Sequence, residues 1–133
     1  MSDDLSEIIK SSTFEIQEGR YIIAKVTTLS DVNKHFMVSR DKDEITVVTN
    51  EANLKDLNLI ERNKDNYSLI ALNVSVPFYS VGFLATVSGA IANAGMNILI
   101  VSTYSKDYIM VREDKSEQSK QVLLSLGFKE TRV

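Results

Sequence analysis

A chain of 133 residues, 44% of them hydrophobic and 25% charged, has apolar material for one ordinary domain or two very small ones. Its formal net charge of −3 argues against a nucleic-acid partner, and the absence of cysteine excludes disulfides, thiolate chemistry and cysteine-ligated metals. The acidic start Met1-Ser2-Asp3-Asp4 and apolar runs far shorter than the ~18–20 residues of a membrane span predict no signal peptide and no membrane anchor, hence a cytoplasmic protein.

The N-terminal half reads as short strands. Gly19 precedes a β-rich run over residues 20–26, and residues 30–35 have room for two turns. Phe36-Met37-Val38 is a short strand. The turn formers Asp41-Lys42-Asp43 lead into the alternating residues 44–49, and Leu54, Leu57, Leu59 and Ile60 supply apolar anchors in a less regular stretch. No long, capped helix is legible here.

The C-terminal half is more regular. Residues 67–76 form a strand that ends at Pro77. A helix is predicted over 81–93, with Ser80 as N-cap and Tyr79 packing on Leu84 as a hydrophobic staple. Leu84, Val87 and Ile91, with the small residues Ala85, Ser88 and Ala92, follow helical spacing, and Gly95 fits the left-handed closing position. Residues 97–104 and 108–112, separated by Ser105-Lys106-Asp107, read as a hairpin. A second helix is expected over 115–126, with Asp114 and Glu117 as a capping box. Val122, Leu123 and Leu126 face inward, Gly127 stops the helix, and Phe128 folds back on it. With a short strand at 129–133 the order is βαββαβ. This is a ferredoxin-like α/β arrangement, an antiparallel sheet with helices on one face. Two units follow, residues 1–65 and 66–133; a single mixed-sheet domain is the alternative.

Residues 74–114 carry a recognisable pattern. Val81-Gly82 opens a small-residue-rich helix, followed by Ala94-Gly95-Met96-Asn97-Ile98, Ser102-Thr103-Tyr104 and Asp107-Tyr108-Ile109. This resembles the small proteins with two ACT domains, which are related to the regulatory domains of aspartate kinases. Gly19-Arg20-Tyr21, Ser39-Arg40 and Glu44-Ile45-Thr46-Val47-Val48 match the divergent first ACT domain of that family. The resemblance implies a regulatory protein without catalytic activity and without a cofactor. It implies binding of a small molecule, typically an amino acid, near the interface of paired ACT domains, and association into a homodimer or larger oligomer. Where the family has Leu-Asp-Phe before Val-Gly, this chain has Val76-Pro77-Phe78-Tyr79-Ser80, so a ligand contact from that Asp is missing.

Physical chemistry gives the same region an independent rationale. Amides at a helix start lack intrahelical acceptors, and the helix dipole favours a carboxylate there. Ser80, Val81, Gly82, Phe83 and Leu84 therefore form a candidate ligand contact, with Tyr79 as a wall and Asn97, Ile98 and Ser102 across the turn and next strand. The competing structural reading is that Ser80 only caps and that Gly82, Ala85 and Ser88 only permit close packing. An alternative function is a protein-interaction or oligomerisation module that binds no small ligand, using open sheet edges.

Enzymatic and metal chemistry find little support. His35 is the single histidine, and no Gly-x-Ser-x-Gly elbow accompanies it. The clusters Asp41-Asp43-Glu44 and Glu113-Asp114-Glu117 lack calcium-loop spacing and are explained by turns and helix caps.

Overall fold

Apolar side chains one helical turn apart bring the N-terminal segment into a core: Leu5 and Ile9 of α1 (Asp3–Lys10) are both buried. The structure is a computed structural model and describes residues 3–29, 31–75 and 81–131. It divides into two units, Met1–Glu18 with Ser68–Val133, and Gly19–Tyr67. No described helix is long and apolar enough to cross a membrane.

In the first unit, β6 (Tyr67–Asn73) is buried along nearly its whole length. That explains why it reads as a continuous apolar run rather than an alternating one. β8 (Asp107–Arg112) pairs with β6 and also with β7 (Leu99–Ser102). β1 (Thr13–Ile16) runs antiparallel to β6, with Phe14 opposite Leu72 and Ile16 opposite Ile70. Of the strand expected at 129–133, the described residues form β9 (Lys129–Glu130). It pairs in parallel with β1, because β1 already occupies the place beside β6. Together with α1, the helices α2 (Phe83–Asn93) and α3 (Ser116–Leu126) supply Phe83, Val87, Ile91 and Leu123 to one core with Phe14, Ile70, Leu72, Ile109, Val111 and Phe128. This is the mixed α/β, ferredoxin-like arrangement expected from the sequence, extended by an N-terminal helix and strand.

Both long helices close in the same way. Met96 N–H reaches the Ile91 carbonyl at 3.2 Å and Gly95 N–H the Ala92 carbonyl at 2.9 Å. Phe128 and Gly127 repeat the pattern on Leu123 and Leu124 at 3.2 and 3.0 Å. These are Schellman closures, with glycine in the left-handed position and a buried apolar residue just beyond it.

Several sequence expectations are corrected. α2 begins at Phe83 rather than at residue 81, and Gly82, not Ser80, holds the N-cap position, since its φ of 83° breaks the helix there. Tyr79, Ser80 and Pro77 lie outside the described residues, and β6 ends earlier than expected, at Asn73. The capping box at Asp114 and Glu117 does not form. Glu113–Lys115 is a 3-10 turn, and the Asp114 carboxylate accepts a hydrogen bond from Arg112 Nη2 at 2.8 Å. Asp107 belongs to β8 opposite Ser102, so the hairpin turn is residues 103–106, closed by Thr103 N–H to the Lys106 carbonyl at 2.8 Å.

Lys120 of α3 and Glu130 of β9 form an ion pair at 3.1 Å with side chains only 21% and 18% exposed. Partial burial screens this pair less than a surface one, and removing one partner leaves the other charge uncompensated. Glu130→Gln is expected to cost about 1 kcal/mol, read as a lower urea midpoint at unchanged slope. An unchanged midpoint would mean that the pair contributes nothing.

The second unit is a sheet of β2 (Tyr21–Val26), β3 (Met37–Arg40), β4 (Ile45–Asn50) and β5 (Leu59–Arg62), all pairings antiparallel. β2 lies between β4 and β5, and β3 lies outside β4. Val32–Lys34 and Glu51–Asp56 are 3-10 turns; no α-helix occurs among the described residues of this unit. The Asp41-Lys42-Asp43 turn forms as expected, with Asp41 Oδ1 accepting from the amides of Asp43 and Glu44 at 2.8 and 3.0 Å. Leu59 and Ile60, expected as apolar anchors, are instead 42% and 52% exposed, and among the described residues β5 has a partner strand only in β2.

Candidate functional site

The connection from β6 to α2 is where the predicted site residues concentrate. Gly82 is exposed and left-handed, and its carbonyl accepts the first helical hydrogen bond, from Thr86 N–H at 2.9 Å. The amides of Phe83, Leu84 and Ala85 thus precede the helical ladder, and glycine offers no side chain to cap them. The positive end of an eleven-residue helix is therefore presented beside an exposed backbone.

The predicted residues take different roles here. Val81 is 93% exposed. Phe83 turns inward and meets Phe128 edge-on, with ring centroids 5.8 Å apart. Leu84 and Ile98 are half-buried and pack on the same core. Asn97 is exposed ahead of β7, and Ser102, also exposed, donates to Asp107 Oδ1 at 2.7 Å across the hairpin. The structure thus joins Phe83, Leu84 and Ile98 through the core, whereas the Ser102 hydroxyl is engaged by its strand partner. Tyr79 and Ser80 lie outside the described residues.

Sequence reasoning passed over a second group. Ser75 N–H donates to Ser12 Oγ at 3.1 Å, Ser75 Oγ lies 2.8 Å from Ser11 Oγ, and a Cβ on Gly82 would stand 3.8 Å from Leu5 Cδ2. The signal available for them was the apolar triplet Leu5, Ile8 and Ile9 at helical spacing within a polar stretch.

Elsewhere, His35 Nδ1 lies 2.9 Å from the hydroxyl of buried Thr49, which accepts from Asn53 Nδ2 at 2.9 Å. A threonine hydroxyl that accepts from Asn53 still has its own proton to give to the imidazole, so His35 is part of a structural triad of polar groups. An open hollow of about 340 Å³ in the second unit is lined by both signs of charge, including Lys25, Arg40 and Glu44. Lys25 and Glu44 already pair at 3.7 Å. Among the described residues no group of three or more His, Asp or Glu side chains is placed to hold a metal ion.

Residues 63–125 match the family model of the ACT domain. The fold is ACT-like. The matched stretch runs from the end of β5 through β6, α2, β7, β8 and nearly all of α3, and so contains the start of α2. No curated protein matches the chain. Among solved structures, a Vibrio cholerae protein of unknown function, a possible transport protein, superposes with a TM-score of 0.80 at 24% identity, over 93% of this chain and 96% of that one. Clostridium acetobutylicum aspartate kinase, an allosteric enzyme, gives a TM-score of 0.63 at 14% identity, over 86% of this chain and 34% of that one. The ligand-free regulatory subunit of the Thermus thermophilus aspartate kinase gives 0.58 at 8% identity, over 85% of this chain and 95% of that one. At these identities the likeness is one of fold. The ACT-like fold seen here is shared with an aspartate kinase and with the regulatory subunit of another.

Proposed function

We propose that this chain is a regulatory or sensor module that binds a small molecule, an amino acid by class, at the start of α2. The observation that carries this reading is the left-handed, exposed Gly82 ahead of the first-turn amides of α2, which precede the helical ladder, within the stretch that matches the ACT domain. A ligand carboxylate meets both the first-turn N–H groups and the positive end of the helix dipole there. Val81, Phe83 and Leu84 contribute through their backbone, and Asn97 and Ile98 border the next strand. In this reading residues 1–65 and 66–133 are the two ACT-type regions, and the protein is cytoplasmic.

Thermal unfolding of the whole chain with each of the twenty amino acids at millimolar concentration tests this, because a ligand that binds only the folded state raises the midpoint. One or two amino acids are expected to do so. Gly82→Ala places a Cβ at positive φ and is expected to cost about 1 kcal/mol and to abolish that ligand response. A flat response of the native chain across the panel would sink the amino-acid reading.

A second reading, an oligomerisation module that binds no ligand, is favoured by β7. Among the described residues this strand pairs only with β8, leaves Ile100 41% exposed, and is followed by Tyr104 at 86%. An open apolar edge is a template for a second strand. Light scattering that shows a monomer at high concentration would exclude the homo-oligomer.

A further inference from the structure

We infer that α1 is a positioning element for the start of α2, holding both flanks of the β6–α2 connection in the conformation that meets a ligand; the ligand part of this rests on the function proposed above. On the β6 side, Ser12 Oγ donates to the Ile8 carbonyl at 2.6 Å and accepts from Ser75 N–H at 3.1 Å. Ser12 is fully buried, so water cannot take over that acceptor role. Ser11 Oγ reinforces the contact at 2.8 Å from Ser75 Oγ, and Ser75 Oγ also lies 3.5 Å from the Ile8 carbonyl. On the α2 side, Leu5 is 6% exposed and lies over Gly82, whose carbonyl receives the first bond of the helix.

These contacts are separable from the part of α1 that only fills the core. Ile9 is fully buried and lies at the end of α3, 3.6 Å from where a Cβ on Gly127 would stand. One short helix and the two serines that follow it therefore carry two sets of residues. Leu5 lies beside Gly82 and Ser11 and Ser12 hold Ser75, whereas Ile9 lies beside Gly127. A ligand that favours the present conformation of Gly82 and Phe83 must stabilise the docked state of α1 by the same free energy with which α1 favours the ligand.

Amide hydrogen exchange on the whole chain tests the inference. The reporters are Thr86, bonded to the Gly82 carbonyl, and Met96, bonded to the Ile91 carbonyl at the far end of α2. Ser12→Ala and Leu5→Ala are expected to speed exchange at Thr86 by about tenfold more than at Met96, whereas Ile9→Val changes both alike. Equal changes at the two amides in all three variants would overturn the positioning role, since global destabilisation moves both together. If an amino acid raises the midpoint of the native chain, its affinity is expected to fall in Ser12→Ala and to hold in Ile9→Val; equal affinity in both would overturn the coupling. A flat amino-acid panel would instead remove the ligand reading, and Thr86 against Met96 would still decide the positioning role.

Discussion

A fragment of residues 66–133 is expected to show no cooperative unfolding transition, although it contains almost all of the ACT-like stretch. The fragment lacks α1 and β1, and with them Leu5, Ile9 and Phe14, which are 6%, 0% and 0% exposed in the core. Burying such side chains contributes about 1.5–3 kcal/mol each. A natural domain holds only about 5–15 kcal/mol in total, so three such losses consume most of it. The loss of β1 also bares the β6 edge from Ile70 to Asn73 and removes the strand that β9 pairs with. Gln17 N–H donates to the Leu69 carbonyl at 2.8 Å, so the two strand ends stand side by side at that point. A chain in which residues 1–18 are joined to 68–133 by a short Asn-Gly turn is therefore expected to recover a cooperative urea transition by circular dichroism. Cooperative unfolding of the 66–133 fragment alone would show that the N-terminal segment is dispensable to this core.

The sequence made the C-terminal βαββα order legible because its punctuation is local. Gly95 and Gly127 mark helix ends by their own left-handed conformation, and Leu84, Val87 and Ile91 repeat at helical spacing. β1 gives no such sign. Its four residues become a strand because they lie against β6, more than fifty positions away, and no local pattern states that pairing. α1 escaped notice for a related reason. Eight residues whose described side chains bury Leu5 and Ile9 carry too short a period to stand out among acids and serines. The failed capping box at Asp114 shows the limit of a spacing rule: the neighbouring Arg112 guanidinium takes the carboxylate that the motif assigns to the helix. At the candidate site, Val81 and Gly82 were legible as an exposed helix start. The groups that hold the start in place, Leu5, Ser11, Ser12 and Ser75, come from segments that only the tertiary fold brings near.

Phe128→Ala is expected to destabilise the chain by about 3–5 kcal/mol, lowering the thermal midpoint by about 10–20 °C. The ring is 2% exposed and sits just beyond the Schellman closure of α3. It meets Phe14 of β1 edge-on at 6.5 Å and 80°, and Phe83 of α2 at 5.8 Å and 72°. Truncation thus removes the contact shared by a strand and two helix ends, and the cavity left behind lies between elements that have little freedom to collapse. Edge-to-face geometry adds about 0.5–1.5 kcal/mol per aromatic pair beyond area burial. Phe128→Leu, which restores most of the volume but not the ring, isolates that part and is expected to cost far less than the alanine variant. A double-mutant cycle of Phe128→Leu with Phe83→Leu, read by urea midpoints, is expected to give a coupling of about 1 kcal/mol. A coupling near zero would mean that the two rings are joined only by common burial. In that case Phe83, the first residue of α2, is held by burial in the common core, and the start of the helix is more easily displaced than the ring geometry implies.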